Sequence, residues 1–142
     1  MILFENGLLK LDYNPATDIL EVAYPDLHDY LLSEIKHSIN ILIDTIKHYD
    51  VKKVLLDSTR TVISVSDEES REIAVYLATG LMGTRVQKVA RVQSSSTTVE
   101  ITAQGNMRHI KESQLLSYDL QNFNSKAEAE TWLKDKSTVE AV

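Results

Sequence analysis

The sequence predicts an α/β domain with a mainly parallel five-stranded sheet, an N-terminal antiparallel hairpin and helices on both faces. Three observations carry that expectation. Two short apolar segments near the start flank a turn-forming stretch. Further on, short continuous apolar runs suit strands buried on both faces. Amphipathic segments alternate with these runs, and three of them begin with Ser or Thr followed three residues later by Glu.

Leu8-Leu9-Lys10-Leu11-Asp12-Tyr13 reads as the first strand and Ile19-Leu20-Glu21-Val22-Ala23-Tyr24 as the second. Asn14-Pro15-Ala16-Thr17-Asp18 between them is rich in turn formers, so the pair is expected to form a hairpin. A long helix is expected over Asp29 to Tyr49. There Leu31, Ile35, Ile39, Leu42, Ile46 and Tyr49 recur at steps of three and four and share one face. Val54-Leu55-Leu56-Asp57 is a buried strand ending in an acid, followed by a loop to Val65. Ser66 and Glu69 form a capping box that opens a helix expected to end near Gly80. Val89-Ala90-Arg91-Val92 is the next strand. Thr97 and Glu100 read as a second box, opening a helix weakened by Gly105 by about 1 kcal/mol relative to Ala. Leu116 to Phe123 reads as the last strand, and Ser125 with Glu128 as the box of a terminal helix carrying Trp132 and Leu133. The predicted order is β-β-α-β-α-β-α-β-α, with right-handed crossovers. Residues 1–136 are expected to form a single domain and 137–142 a frayed tail.

Composition bounds the function. The 142 residues suit one domain, and the 43% apolar and 25% charged fractions are those of a globular chain. The net charge is −6 and no basic run exceeds two residues, which argues against nucleic acid as a partner. There is no cysteine, so disulfides, thiolate metal sites and Cys nucleophiles are excluded, in keeping with a cytoplasmic location. Met1 to Asn6 lacks the pattern of a signal peptide. No apolar run nears the ~20 residues needed to cross a membrane, so no membrane insertion is expected.

The order and spacing of three segments resemble the SpoIIAA-like (STAS-like) superfamily, and in particular its small stand-alone bacterial members. The segments are the Leu8–Tyr24 hairpin with its long helix, Lys52-Lys53-Val54-Leu55-Leu56-Asp57 with its capped helix, and Leu116–Ser125 with Trp132-Leu133. The resemblance covers nearly the whole chain. It implies a non-catalytic regulatory or protein-interaction module acting on a protein partner or as a homodimer. A small-molecule carrier for a lipid or anionic metabolite is the alternative, and an enzyme comes third. It also implies that Ser66 stands where antagonist members carry a phosphorylated serine. The neighbourhood departs from that pattern: Val65 stands for an Asp, and Asp67-Glu68-Glu69 for small residues, so a phosphate there meets three carboxylates.

Ligands of open α/β sheets sit at the carboxyl ends of strands. That edge is expected to carry Asp57, Ser58, Thr59 and Arg60 after one strand, and Gln93, Ser94, Ser95, Ser96, Thr97 and Thr98 after another. With two helix N-termini nearby, these are candidate contacts for an anion or other ligand. Ordinary loop and cap chemistry explains the same residues, and Asp57 in particular reads as a loop cap. His37, Asp44 and His48 share a helix face, but His37 and Asp44 lie about 10 Å apart along it, too far for one metal ion. No catalytic residues, metal ligands or cofactor are assigned. No Gly-x-Ser-x-Gly elbow exists, and no His lies within ten residues of the Ser-rich stretch. Leu81 and Met82, between Gly80 and Gly83, read either as an exposed contact or as residues tucked under the sheet.

Overall fold

Hairpin, long helix and capped helices assemble around one mixed sheet. The computed structural model describes residues 1–6, 9–23, 32–59, 66–113 and 116–135. Its elements are β1 (Ile2–Glu5), β2 (Lys10–Asn14), β3 (Ile19–Ala23), α1 (Leu32–Tyr49), β4 (Lys53–Asp57), α2 (Asp67–Met82), β5 (Lys88–Val92), α3 (Thr97–Ser113), β6 (Asp119–Phe123) and α4 (Lys126–Lys134). The strands lie in sequence order, β1-β2-β3-β4-β5-β6. β1, β2 and β3 pair antiparallel, and the pairings from β3 through β6 are parallel.

The expected five-stranded sheet is therefore six-stranded, with β1 added ahead of the hairpin. β1 is short and half-exposed, so it shows no alternation to read, and its pairing with β2 defines it as a strand. The hairpin stands where expected. Asp18 takes φ 57°, a left-handed conformation that Asp tolerates, and its carboxylate accepts a 2.7 Å hydrogen bond from the Tyr13 hydroxyl.

α1 buries Ile35, Ile39, Leu42, Ile43 and Ile46. It ends in a Schellman motif: Asp50 takes φ 52°, and the Val51 amide donates back to Ile46 O at 3.0 Å. The expected start at Asp29, with Tyr30 and Leu31, lies outside the described residues. So do Tyr24, His28 and the 137–142 tail. α2 opens on the predicted box, with the Glu69 amide donating to Ser66 Oγ at 3.1 Å. It runs past Gly80 to Met82, because Gly80 serves packing and not termination: a Cβ there would meet Ile43 Cγ1 at 2.9 Å. Leu81 is buried and Met82 packs on the core, so this pair is tucked in. α4 opens on the Ser125 box as expected.

The two faces of the sheet separate by strand alternation. Leu11, Leu20, Val22, Val54, Leu56, Val89 and Leu120 face the large core with α1, α2 and α3. Ile19, Leu55, Ala90 and Val92 face α4 through Ala129 and Leu133. On that second face β5 begins one residue earlier than expected, at Lys88, which is only 1% exposed. Its ammonium donates to Trp132 O at 2.9 Å and to Asp135 O, and lies 5.0 Å from the centre of the Trp132 ring. A cation at the carbonyl end of a helix complements the helix dipole. Burial lowers the Lys88 pKa, and the nearby Asp135 opposes that shift.

Candidate functional site

Register sets the chemistry of the inner sheet face. Val54, Val89 and Leu120 pair in one row across β4, β5 and β6, and Leu56, Arg91 and Asn122 pair in the row two residues on. Ser58 continues the β4 alternation beyond that. The inner face thus turns from apolar to polar toward the carboxyl ends of the strands.

A cavity of about 170 Å³ lies between this face and α2 and α3, with Ile35 of α1 contributing to its wall. Its helix side is formed by Ile73, Ala74 and Leu77 of α2 and by Ala103 and Met107 of α3. Ser58, Ser70, Arg91 and Asn106 are the polar lining residues apart from Tyr118. α4 comes close to β4, β5 and β6, whereas α2 and α3 make close backbone approaches to each other. Alanines at 74, 78 and 103 then leave the space over the sheet unfilled. Its volume is close to the roughly 150 Å³ of an enclosed apolar cavity that admits benzene, but this one opens to the surface between the partly exposed Ile73, Leu77 and Met107. It falls below the roughly 300 Å³ at which drug-sized ligand sites begin.

The polar end is tightly hydrogen-bonded. Arg91 Nη1 donates to Glu100 Oε2 at 3.1 Å and Nη2 to Glu100 Oε1 at 2.7 Å, a bidentate pair with side chains 11% and 16% exposed. Arg91 Nη1 also donates to Asn122 Oδ1 at 3.1 Å. Glu100 further accepts from the Ser94 amide at 2.6 Å and from Gln104 at 3.2 Å. Burial on its own raises the Glu100 carboxyl, but the bonds from Arg91, the Ser94 amide and Gln104 outweigh it and hold the carboxyl below its ordinary range. Deeper in, Asn106 Nδ2 donates to Ser70 Oγ at 3.1 Å and ties α3 to α2, and Arg71 Nε donates to Asn106 Oδ1 at 3.4 Å. Burial pushes the Tyr118 hydroxyl up to about 12, and it donates to Ala78 O at 3.2 Å.

The two loops predicted to carry a site do meet, through a 3.2 Å bond from Ser95 Oγ to Thr59 O. Their side chains largely serve the loops themselves. Asp57 Oδ1 accepts from the Thr59 amide and hydroxyl at 3.0 and 2.7 Å. Ser94 Oγ accepts from the Ser96 amide at 3.1 Å. The Thr97–Glu100 capping box is displaced by one residue. Ser96 caps α3, its Oγ accepting from the Val99 amide at 3.4 Å, while Thr97 is the first helical residue. Glu100 turns instead to Arg91, whose guanidinium neutralises it. Ser58 lines the cavity, and its amide donates to Val92 O at 3.2 Å. Arg60 lies outside the described residues. Ser66 is exposed, and its hydroxyl caps α2 and donates to Glu69 Oε1 at 3.3 Å.

Sequence reasoning treated Arg91 as one residue of a buried strand and passed over Ser70 and Asn106. The available signal was a charged residue inside an apolar run with Glu100 nine positions on. His37, Asp44 and His48 are exposed, and no group of three or more potential metal ligands converges among the described residues. No helix among them is long and apolar enough to cross a membrane. No protein-family model matches the chain, and no curated protein or solved structure matches it.

Proposed function

We propose that this chain is a non-catalytic binding domain whose ligand is a small, largely apolar molecule held between α2, α3 and the sheet. One observation carries the reading: a largely apolar cavity of about 170 Å³ whose wall carries a few polar groups, Ser58 and Arg91 on the sheet side and Ser70 and Asn106 on the helix side. This places small-molecule binding ahead of protein contact, reversing the order expected from the sequence. Its size argues against a whole lipid or a nucleotide. The charged groups beside it are a mutually neutralised Arg91–Glu100 pair, which supports binding over catalysis. A SpoIIAA-like scaffold in the cytoplasm is part of the same proposal. What supports it is that the three resembling segments form β2–β3 with α1, β4 with α2, and β6 with α4.

The test is binding of benzene-sized probes, toluene and indole among them, followed by melting temperature and by NMR of the Leu77 and Met107 methyl groups. Saturation at a hundredfold over Kd is expected to stabilise the fold by about 2.7 kcal/mol. Ala74→Leu, which fills the cavity, is expected to abolish the response. Probes that move neither the melting temperature nor those methyl signals would refute the reading.

A further inference from the structure

We infer that this cavity selects neutral molecules carrying a hydrogen-bond acceptor over carboxylates of the same shape, and that Glu100 sets the preference. The inference rests on the binding role proposed above and names the class of ligand.

Arg91 is the one cationic residue lining the cavity among the described residues. An arginine beside an apolar pocket ordinarily suggests an anionic ligand. Here the guanidinium is already matched: both terminal nitrogens reach the two Glu100 oxygens, and one of them also reaches Asn122. Glu100 is held in turn by the Ser94 amide and Gln104. A ligand carboxylate near Arg91 therefore meets a fixed negative charge in a poorly solvated place. Displacing Glu100 would strand it among groups already arranged around it.

What the polar side still offers is donors. A guanidinium has five N–H groups. Three of the Arg91 N–H groups are engaged with Glu100 and Asn122. The Ser58 hydroxyl makes no hydrogen bond to another described residue. Donors without a free charge suit a carbonyl, amide or ether oxygen. Most of the remaining wall, from Val89 and Leu120 to Leu77 and Met107, is apolar; of its polar residues, Asn106 is bonded to Ser70 and Tyr118 to Ala78 O. The fitting ligand has a benzene-sized or slightly larger apolar body and one neutral acceptor.

The experiment is calorimetric titration of the full chain at neutral pH with toluene, benzamide and benzoate. Benzamide is expected to bind roughly tenfold or more tightly than benzoate. In Glu100→Gln, benzoate is expected to gain roughly tenfold while benzamide changes little, because Arg91 then carries an unmatched charge. Benzoate binding as tightly as benzamide to the unaltered protein would overturn the inference while leaving the pocket reading intact. No gain for benzoate in a folded Glu100→Gln would overturn the role of Glu100. Failure of all three probes would remove the pocket reading and this inference with it. The comparison on the unaltered protein needs no variant, so it decides the preference even where Glu100→Gln does not fold.

Discussion

The two faces of the sheet are made from alternate residues of the same strands, yet α4 lies close on β4, β5 and β6 on one face while α2 and α3 leave a cavity over those strands on the other. On the α4 face, Ala90 and Ala129 are fully buried and let a nine-residue helix settle close to β4, β5 and β6. Leu55 and Leu133 are buried between them, and Lys88 closes the end of the helix. On the opposite face, α2 and α3 lean on each other, and their alanines stand where larger side chains would reach the sheet. The same residue type thus has opposite effects. Alanine lets backbones come together where the partner surface is small as well, and leaves space unfilled where the facing helix stays further from the sheet.

Truncating a leucine on each face tests this difference most strongly. Leu133→Ala is expected to cost about 3 kcal/mol or more, since a fully buried side chain is lost. Leu77→Ala, at a partly exposed side chain bordering the void, is expected to cost no more than about 2 kcal/mol. Equal losses in urea denaturation would mean that the faces are packed alike.

Alkaline titration probes the cavity face through Tyr118. Its folded pKa of about 12 lies above its ordinary value of 10.0. The stability it contributes is thus complete below about pH 10 and is lost as pH rises toward 12. Tyr13 behaves in the same sense, raised to about 12 by burial first and then by its bond to Asp18 and the charges of Asp18 and Asp50. Tyr118→Phe is expected to cost about 1 kcal/mol at neutral pH through the lost bond to Ala78 O, and to flatten the alkaline limb. An unchanged limb would show that the hydroxyl is not shielded.

The smallest expected effects come from two helical glycines. Gly105 has nothing within 4 Å of an added Cβ, so Gly105→Ala is expected to stabilise by about 1 kcal/mol. Gly80→Ala gains the same propensity but forces Ile43 aside, with a net loss of about 1 kcal/mol expected. Thermal melts of the two variants should move in opposite directions. A parallel rise would mean that the α1–α2 contact yields.

Local patterns made the hairpin, α1, and the Ser66 and Ser125 caps readable, because each is decided within a few residues. What escaped reading was decided at a distance. β1 exists through its pairing with β2. Lys88 looks like a residue to leave outside a buried strand until Trp132, 44 positions on, supplies its acceptor. Glu100 has the spacing of a capping box, and Arg91 competes for it and wins. The cavity had no sequence signature, since Ala74, Ala78 and Ala103 look like ordinary helix formers. Ser58 and Thr59 follow β4 and Gln93 to Ser96 follow β5, while Asp57 belongs to β4 and Thr97 and Thr98 to α3; the row that brings Arg91 next to Leu56 requires the register.

The strictly sequential order of the strands has a consequence for the chain as it is synthesised. Each new strand from β2 onward adds to the edge just completed, so the sheet can grow in the direction of translation with little need for distant partners. α1, α2 and α3 cover one side as they emerge. The other side waits, because α4 docks on β4, β5 and β6 together and is made only after all three. Until residue 134 has left the ribosome, Leu55, Ala90 and Val92 form a bare apolar strip. A ribosome-bound chain stopped before α4 would present that strip to whatever protects nascent proteins.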